Sequence, residues 1–270
     1  AIRAIGGETC EQGEGQGMPS EFGAILKDWR KVRRFSQLDL SLEAEMSARH
    51  LSFLESGRAN PSRAMVLRLS EALQLPRPAA NQALHAAGFA PVYPSLSDDA
   101  PELAPVNQAI ATLLDQHDPF PGYAIDRHWN IVTSNKGAEM IVALAAPGGP
   151  ANLIDILLAT AGLDLIENWE EVAVLTLSRL RTEILELGGD EQLSGLAKRL
   201  AAHERVRRVD MGSINLNQAV IPTIFRVGEN RLALFSVIAQ FGSVQDTKAG
   251  ETRIELMFPM DEETTSFFQR

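Results

Sequence analysis

Arg49 is the second residue of a short segment, Ala48-Arg49-His50-Leu51-Ser52-Phe53-Leu54-Glu55, lying between Ser47 and Gly57. A guanidinium held outward on a helix edge can donate a pair of hydrogen bonds to O6 and N7 of guanine in the major groove. In a helix, Leu51 and Leu54 point inward, leaving Ala48, Arg49, His50, Ser52 and Phe53 on the outer leading edge. Phe53 suits contact with a thymine methyl, and His50 reads as polar surface. Ser47 is the expected N-cap. Gln37, at the front of the preceding helical segment, is placed to fix a phosphate or to brace Arg49. Arg30, Arg34, Arg58, Asn60, Ser62 and Arg63 surround this edge as candidate phosphate contacts, which set register without specifying sequence. Glu55 suits a brace of the following loop, through Arg58 or backbone amides. The charge distribution agrees: residues 20–78 hold ten Lys/Arg against seven Asp/Glu, while the rest holds fifteen against twenty-eight. A basic head on an acidic body suits a chain with more than one task.

Other chemistry is missing from the sequence. No G-x-S-x-G, H-E-x-x-H, P-loop or strand-to-helix G-x-G-x-x-G occurs. His203-Glu204 runs on into Arg-Val-Arg, and Gly148-Gly149 stands between prolines. Glu170-Glu171 and Asp98-Asp99 read as solvated surface. No catalytic residue and no metal ligand set is assigned, and an enzyme is not expected; the alternatives to a ligand-sensing regulator are a DNA-binding regulator with no ligand and an enzyme using a pocket of the C-terminal half. The single cysteine, Cys10, cannot form an internal disulfide. No run approaches the ~18 apolar residues of a membrane span, and no leader of the secretory kind is present. The expected compartment is the cytoplasm, without membrane contact.

The elements that must hold these residues follow from periodicity and caps. Residues 1–19, rich in Gly and Glu, read as a disordered tail. Helices are expected over about 21–34, 36–44 and 48–56, then from Ser62 to about 73 and over about 79–87. Ser36 and Asp39 form a capping box, Met46 and Leu51 a hydrophobic staple, and Gly57 a left-handed C-cap. Residues 20–88 thus read as five short helices around one core. A Pro/Ser/Asp linker covers 89–104. Over 105–270 the pattern changes: a helix near 102–117 leads to strands near 123–126 and 130–134 around a turn at Arg127-His128-Trp129. Helices follow near 136–145, 151–159, 165–187 and 190–203, then strands near 208–217, 220–227, 231–240 and 251–258. The fold class is two-domain: an all-α five-helix head and an α+β domain with an antiparallel sheet.

Ser36-Gln37-Leu38-Asp39-Leu40, Ser47 to Ser56 and Gly57-Arg58-Ala59-Asn60-Pro61-Ser62 together resemble the Cro/repressor-type (XRE) helix-turn-helix over about 55 residues. Glu45 stands where that family usually has a turn glycine. Met65 to Leu73, Ala86 to Tyr93 and Asp126-Arg127-His128-Trp129-Asn130 resemble the MmyB-like regulators, which pair such a head with a PAS-like ligand-binding domain. The expected partner is double-stranded DNA with a palindromic operator, bound by a homodimer whose two recognition helices meet successive half-sites, and the resemblance implies an apolar pocket for a small ligand, with fatty acids the leading class. Candidate walls are Trp129, Ile131, Leu153, Ile156, Leu157, Trp169, Val172 and Leu175, with Ile224, Phe225, Phe235, Ile238 and Phe258 from the later strands. Asn135, Asn168, Arg179 and Arg226 are the candidate polar anchors, and a buried carboxylate suits an arginine. No other cofactor is expected. A flavin photosensor would need a cysteine in the pocket, and His117, His128 and His203 stand in no haem motif.

Overall fold

A computed structural model of the chain describes residues 20–149, 151–210 and 219–270. The expected tail 1–19 lies outside the described residues, as does most of the expected strand 208–217; residues 208–210 form no strand. The chain divides into two compact units at Pro91/Val92.

The first unit holds α1 (Glu21–Val32), α2 (Gln37–Glu43), α3 (Ala48–Glu55), α4 (Arg63–Ala72) and α5 (Arg77–Ala86). Serine side chains start four of these helices. Ser20, Ser36, Ser47 and Ser62 accept from the backbone N–H of Gly23, Asp39, His50 and Met65, satisfying donors that a helix N-terminus otherwise leaves open. At Ser36 the bond is reciprocal, because Asp39 accepts from the Ser36 N–H at 3.0 Å. Gly57 ends the third helix with φ 72°. Leu26, Trp29, Leu40, Leu51, Leu54 and Leu69 fill the core, at about 1.5–3 kcal/mol of transfer energy per large side chain. Glu45 takes φ 50°, so the turn between α2 and α3 keeps its left-handed residue without the usual glycine.

The second unit begins with α6 (Ala104–His117), β1 (Gly122–Ile125) and β2 (Ile131–Ser134). It continues with α7 (Lys136–Ala145), α8 (Leu153–Leu158), α9 (Thr160–Leu165), α10 (Trp169–Glu186), α11 (Glu191–Ala202) and α12 (Glu204–Arg207). It ends with β3 (Thr223–Val227), β4 (Asn230–Gln240), β5 (Arg253–Pro259) and α13 (Glu262–Phe268). The strands form one antiparallel sheet in the order β2-β1-β5-β4-β3. Alternation divides the faces. Ala124 and Ile254 pack with Ile110 and Leu114 of α6 on one side. Tyr123, Phe225, Leu232, Leu234 and Met257 pack with the helices between β2 and β3 on the other.

Two expectations need correction. The helix expected over 165–187 starts later, at Trp169, because the Asn168 side chain bonds Glu171, the Pro222 carbonyl and the Ile224 N–H; α9 is a separate turn before it. The closing helix α13 was not expected. Asp261 caps it, and its Thr264 hydroxyl accepts from Ala233 N–H of β4 at 3.0 Å.

Candidate nucleic-acid interface and ligand cavity

The outer edge of α3 carries the residues expected there. Arg49 is exposed, Ala48, His50, Ser52 and Phe53 are half-buried, and Leu51 and Leu54 are buried. The Arg49 guanidinium lies 5.4 Å from the Phe53 ring centroid, one helical turn on. Ser47, Arg34, Arg58, Asn60, Ser62 and Arg63 are exposed. The Ser47 and Ser62 hydroxyls are engaged as caps.

Arg30 and Gln37 serve another purpose. Arg30 Nε and Nη2 donate to the two oxygens of Glu55 at 2.6 and 3.0 Å, and Nη1 donates to the Phe35 carbonyl at 2.9 Å. Gln37 Nε2 donates to Glu55 Oε2 at 2.8 Å. Arg30 therefore braces α1 against α3, and Gln37 braces Glu55 rather than Arg49. Glu55 takes these partners instead of Arg58. Burial pushes the Glu55 carboxyl up, but the bonds from Arg30 and Gln37 and the Arg30 charge outweigh it and hold the group below its usual range. Gly23 makes the close crossing possible: a Cβ there would lie 2.6 Å from the Leu54 carbonyl and 2.7 Å from that of Glu55.

The second unit holds a partly open cavity of about 160 Å³ between the sheet and α7, α8 and α10. Of the expected walls, Trp129, Leu153, Ile156, Leu157, Val172 and Phe225 line it, as does the expected anchor Arg179. Leu175 and Phe235 line an adjoining groove, which shares Val172, Thr176, Arg179, Thr223 and Ser236 with the cavity. Ile131, Trp169, Ile224, Arg226, Ile238 and Phe258 are not on the cavity wall. Trp169 is fully buried in the core, with its indole N–H donating to the Leu157 carbonyl at 2.8 Å. Phe258 stacks on Phe235 and edges against His117. Ile238 is exposed, and Arg226 pairs with Glu167 at 2.6 Å. Asn135 is no anchor either: it caps α7 and ties the Gly122 N–H and the Phe120 carbonyl.

One side of the cavity is polar. Asp126 accepts from the N–H groups of His128 and Asn130 at 2.8 and 2.9 Å, making the turn that carries Trp129 at φ 67°. The Trp129 indole donates to Glu183 at 2.7 Å, and its ring lies 4.4 Å from Arg179 and 5.4 Å from Arg253. Arg179 Nε donates to Glu183 at 3.1 Å and Nη1 to Glu255 at 3.2 Å, and Arg253 also pairs with Glu183. Arg179 Nη2 and Arg253 Nε are buried and have no hydrogen-bond partner among the described residues. Burial raises the Glu183 carboxyl, but Arg253, Trp129 and Arg179 together hold it below its usual range. Burial and the neighbouring Glu255 push the Tyr123 phenol well up, so it stays a protonated donor. Sequence reasoning missed Tyr123, Glu183, Arg253 and Glu255. The available signal was charge in an otherwise apolar strand, at Arg253 and Glu255, and the i,i+4 spacing of Arg179 and Glu183.

A capped helix pair with an exposed arginine on its second member, followed in the chain by a separate domain with an apolar cavity, is the architecture of a helix-turn-helix protein with a second domain able to hold a ligand. The comparisons agree. The family model described as MmyB-like transcription regulator ligand binding domain matches residues 106–270, and a helix-turn-helix model matches residues 26–78. The chain belongs to the MmyB-like transcription regulators. No curated protein matches it. Among solved structures it is similar, at 14% identity and a TM-score of 0.28, to one titled "Structure of an RNA-binding Light-Oxygen-Voltage Receptor". That match covers 93% of this chain and 62% of the other, so the chain spans less than two thirds of that structure. No helix among the described residues is long and apolar enough to cross a membrane.

Proposed function

We propose that this regulator binds a palindromic operator as a homodimer in the cytoplasm, and that its C-terminal domain senses a fatty acid or a similar small apolar ligand. The observation that carries the reading is the pairing of an outward Arg49 on a capped α3 with an apolar cavity lined on one side by Arg179, whose Nη2 has no partner among the described residues. Arg49 reads a base, while Arg34, Arg58, Asn60 and Arg63 hold phosphates on either side. Two α3 helices in a dimer meet half-sites about one helical turn, roughly 34 Å, apart. The sheet order β2-β1-β5-β4-β3, with its helices inserted between β2 and β3, supports a PAS-like description of the second domain. Ligand shifts operator affinity by its differential affinity for the two DNA-binding states and by no more. The domain needs no catalytic group for this and acts as a sensor rather than an enzyme.

Duplex selection from a random pool, followed by gel shift, tests the DNA half. Arg49→Ala is expected to weaken the selected site by about 1–3 kcal/mol and to relax preference at one base pair. Unchanged selectivity in that variant contradicts the assignment. Mass spectrometry of an organic extract of the purified protein tests the sensing half, with a bound apolar molecule expected.

A further inference from the structure

The linker is held to the second unit soon after the chain leaves the first at Pro91. The Thr247 N–H donates to the Pro94 carbonyl at 2.9 Å, and the Leu96 N–H donates to Asp246 Oδ2 at 2.7 Å. Asp246 is only 3% exposed, and its Oδ1 accepts from the N–H groups of Lys248 and Ala249 at 3.0 and 2.9 Å. One buried carboxylate thus shapes the corner between β4 and β5 and fastens the incoming chain to it, through bonds strengthened by its charge. A linker that merely joined two units would be left solvated. The same corner reaches the cavity. Glu251, at its end, accepts from Arg127 Nη1 at 3.4 Å. Arg127 stands in the turn between β1 and β2 and also pairs with Asp190, the N-cap of α11, whose Oδ2 lies 3.2 Å from His128 Nε2. That turn sets two cavity walls: Trp129 itself, and Leu153, whose N–H donates to the Trp129 carbonyl at 2.9 Å. Arg127 Nε and Glu251 Oε1 are buried without a hydrogen-bond partner among the described residues. A joint with an unsatisfied donor on one side and an unsatisfied acceptor on the other gives up one long bond when it rearranges, not a closed network.

We infer that the 246–251 corner is the coupling joint of the regulator. Occupancy of the cavity moves the turn that carries Trp129, the turn moves the corner through Arg127 and Glu251, and the corner moves the linker through Asp246. Asp246 is a positioning residue: it is not on the cavity wall and acts through the chain that leads to the head. This rests on the reading of the cavity as a sensor site and names the residues that carry its occupancy to the linker.

The test measures the ratio of duplex affinities of the full chain with and without saturating palmitate, at fixed salt. The wild type is expected to show a ratio of about fivefold or more in either direction. Asp246→Ala and Glu251→Ala are each expected to bring it below about twofold while palmitate affinity stays within about threefold of wild type, a separation that a merely structural role would not give. Lys248→Met removes only an exposed pair with Asp98 on the same corner and is expected to keep the full ratio. Amide hydrogen exchange at Leu96 and Thr247 of the wild type is expected to change on adding palmitate, and this decides the matter if a variant does not fold. A full ratio in both alanine variants, or exchange at Leu96 and Thr247 that palmitate leaves unchanged, overturns the joint and leaves sensing intact. Loss of palmitate binding in the folded Asp246→Ala protein also overturns it, since the corner would then belong to the site itself. A wild-type ratio of one with palmitate bound defeats the sensing reading, and the joint with it.

Discussion

Arg30 sits inside the basic cluster of α1, yet the structure gives it a structural duty, and this can be tested against a DNA-contact duty. Glu55 and Arg30 keep only 4% and 12% of their side-chain exposure, and the carboxylate accepts from Arg30 at 2.6 and 3.0 Å and from Gln37 at 2.8 Å. Removing one member of a buried pair costs about 3–5 kcal/mol, because the other charge is left uncompensated. The residual exposure of Arg30 places Arg30→Met near the lower end, about 3 kcal/mol. Replacing both, as Arg30→Met with Glu55→Met, should recover much of that loss, since no charge is stranded. Urea unfolding followed by helical circular dichroism reads the stability of the head. Salt-dependent gel shifts of the same proteins read the phosphate count, at about 0.9 in log–log slope per contact. Arg30→Met is expected to destabilise the head and leave the slope of the remaining folded fraction unchanged, whereas Arg58→Met or Arg63→Met should lower the slope and spare stability. The sign of the pH dependence follows from the depressed Glu55 group: its contribution is complete above the ordinary glutamate range and is lost as pH falls through its folded-state value. Glu55→Gln should flatten that acid limb. A stable Arg30→Met head whose salt slope has dropped by one contact would refute the reasoning.

Two further outcomes follow from the head. Gly23→Ala puts a Cβ within 2.7 Å of the Leu54 and Glu55 carbonyl oxygens, so α1 must shift from α3; a loss of about 1–3 kcal/mol is expected in the same urea assay, and DNA affinity should fall with it. Glu45→Gly relieves the left-handed turn at φ 50° and is expected to raise head stability by about 0.5–1 kcal/mol, visible as a later unfolding midpoint.

Much of the head was legible because its signals are local. Ser36 and Asp39 announce a helix start three residues apart, and Gly57 announces a stop, so the frame of α2 and α3 follows from spacing alone. The Arg30–Glu55 pair was not legible for the opposite reason: the two residues are twenty-five apart in sequence, and only the crossing of α1 over α3 at Gly23 brings them together. The same distinction divides the second domain. The turn Asp126-Arg127-His128-Trp129-Asn130 was readable, since Asp126 bonds backbone groups two and four residues on. The start of α10 at Trp169 was not, since Asn168 is held by Pro222 and Ile224 of a distant segment. Which apolar side chains face the cavity depends on how the sheet meets its helices. Phe225 lines the cavity and Ile224 does not, although both are apolar neighbours in one strand.

The central claim is that one chain couples sequence-specific DNA binding to occupancy of an apolar cavity. The direct test is the affinity of the full chain for its selected duplex, measured at fixed salt across a titration of palmitate. The account predicts that palmitate changes duplex affinity, and that saturating duplex changes the affinity for palmitate by the same factor, as linkage requires. A duplex affinity that stays constant while palmitate saturates the cavity would contradict it.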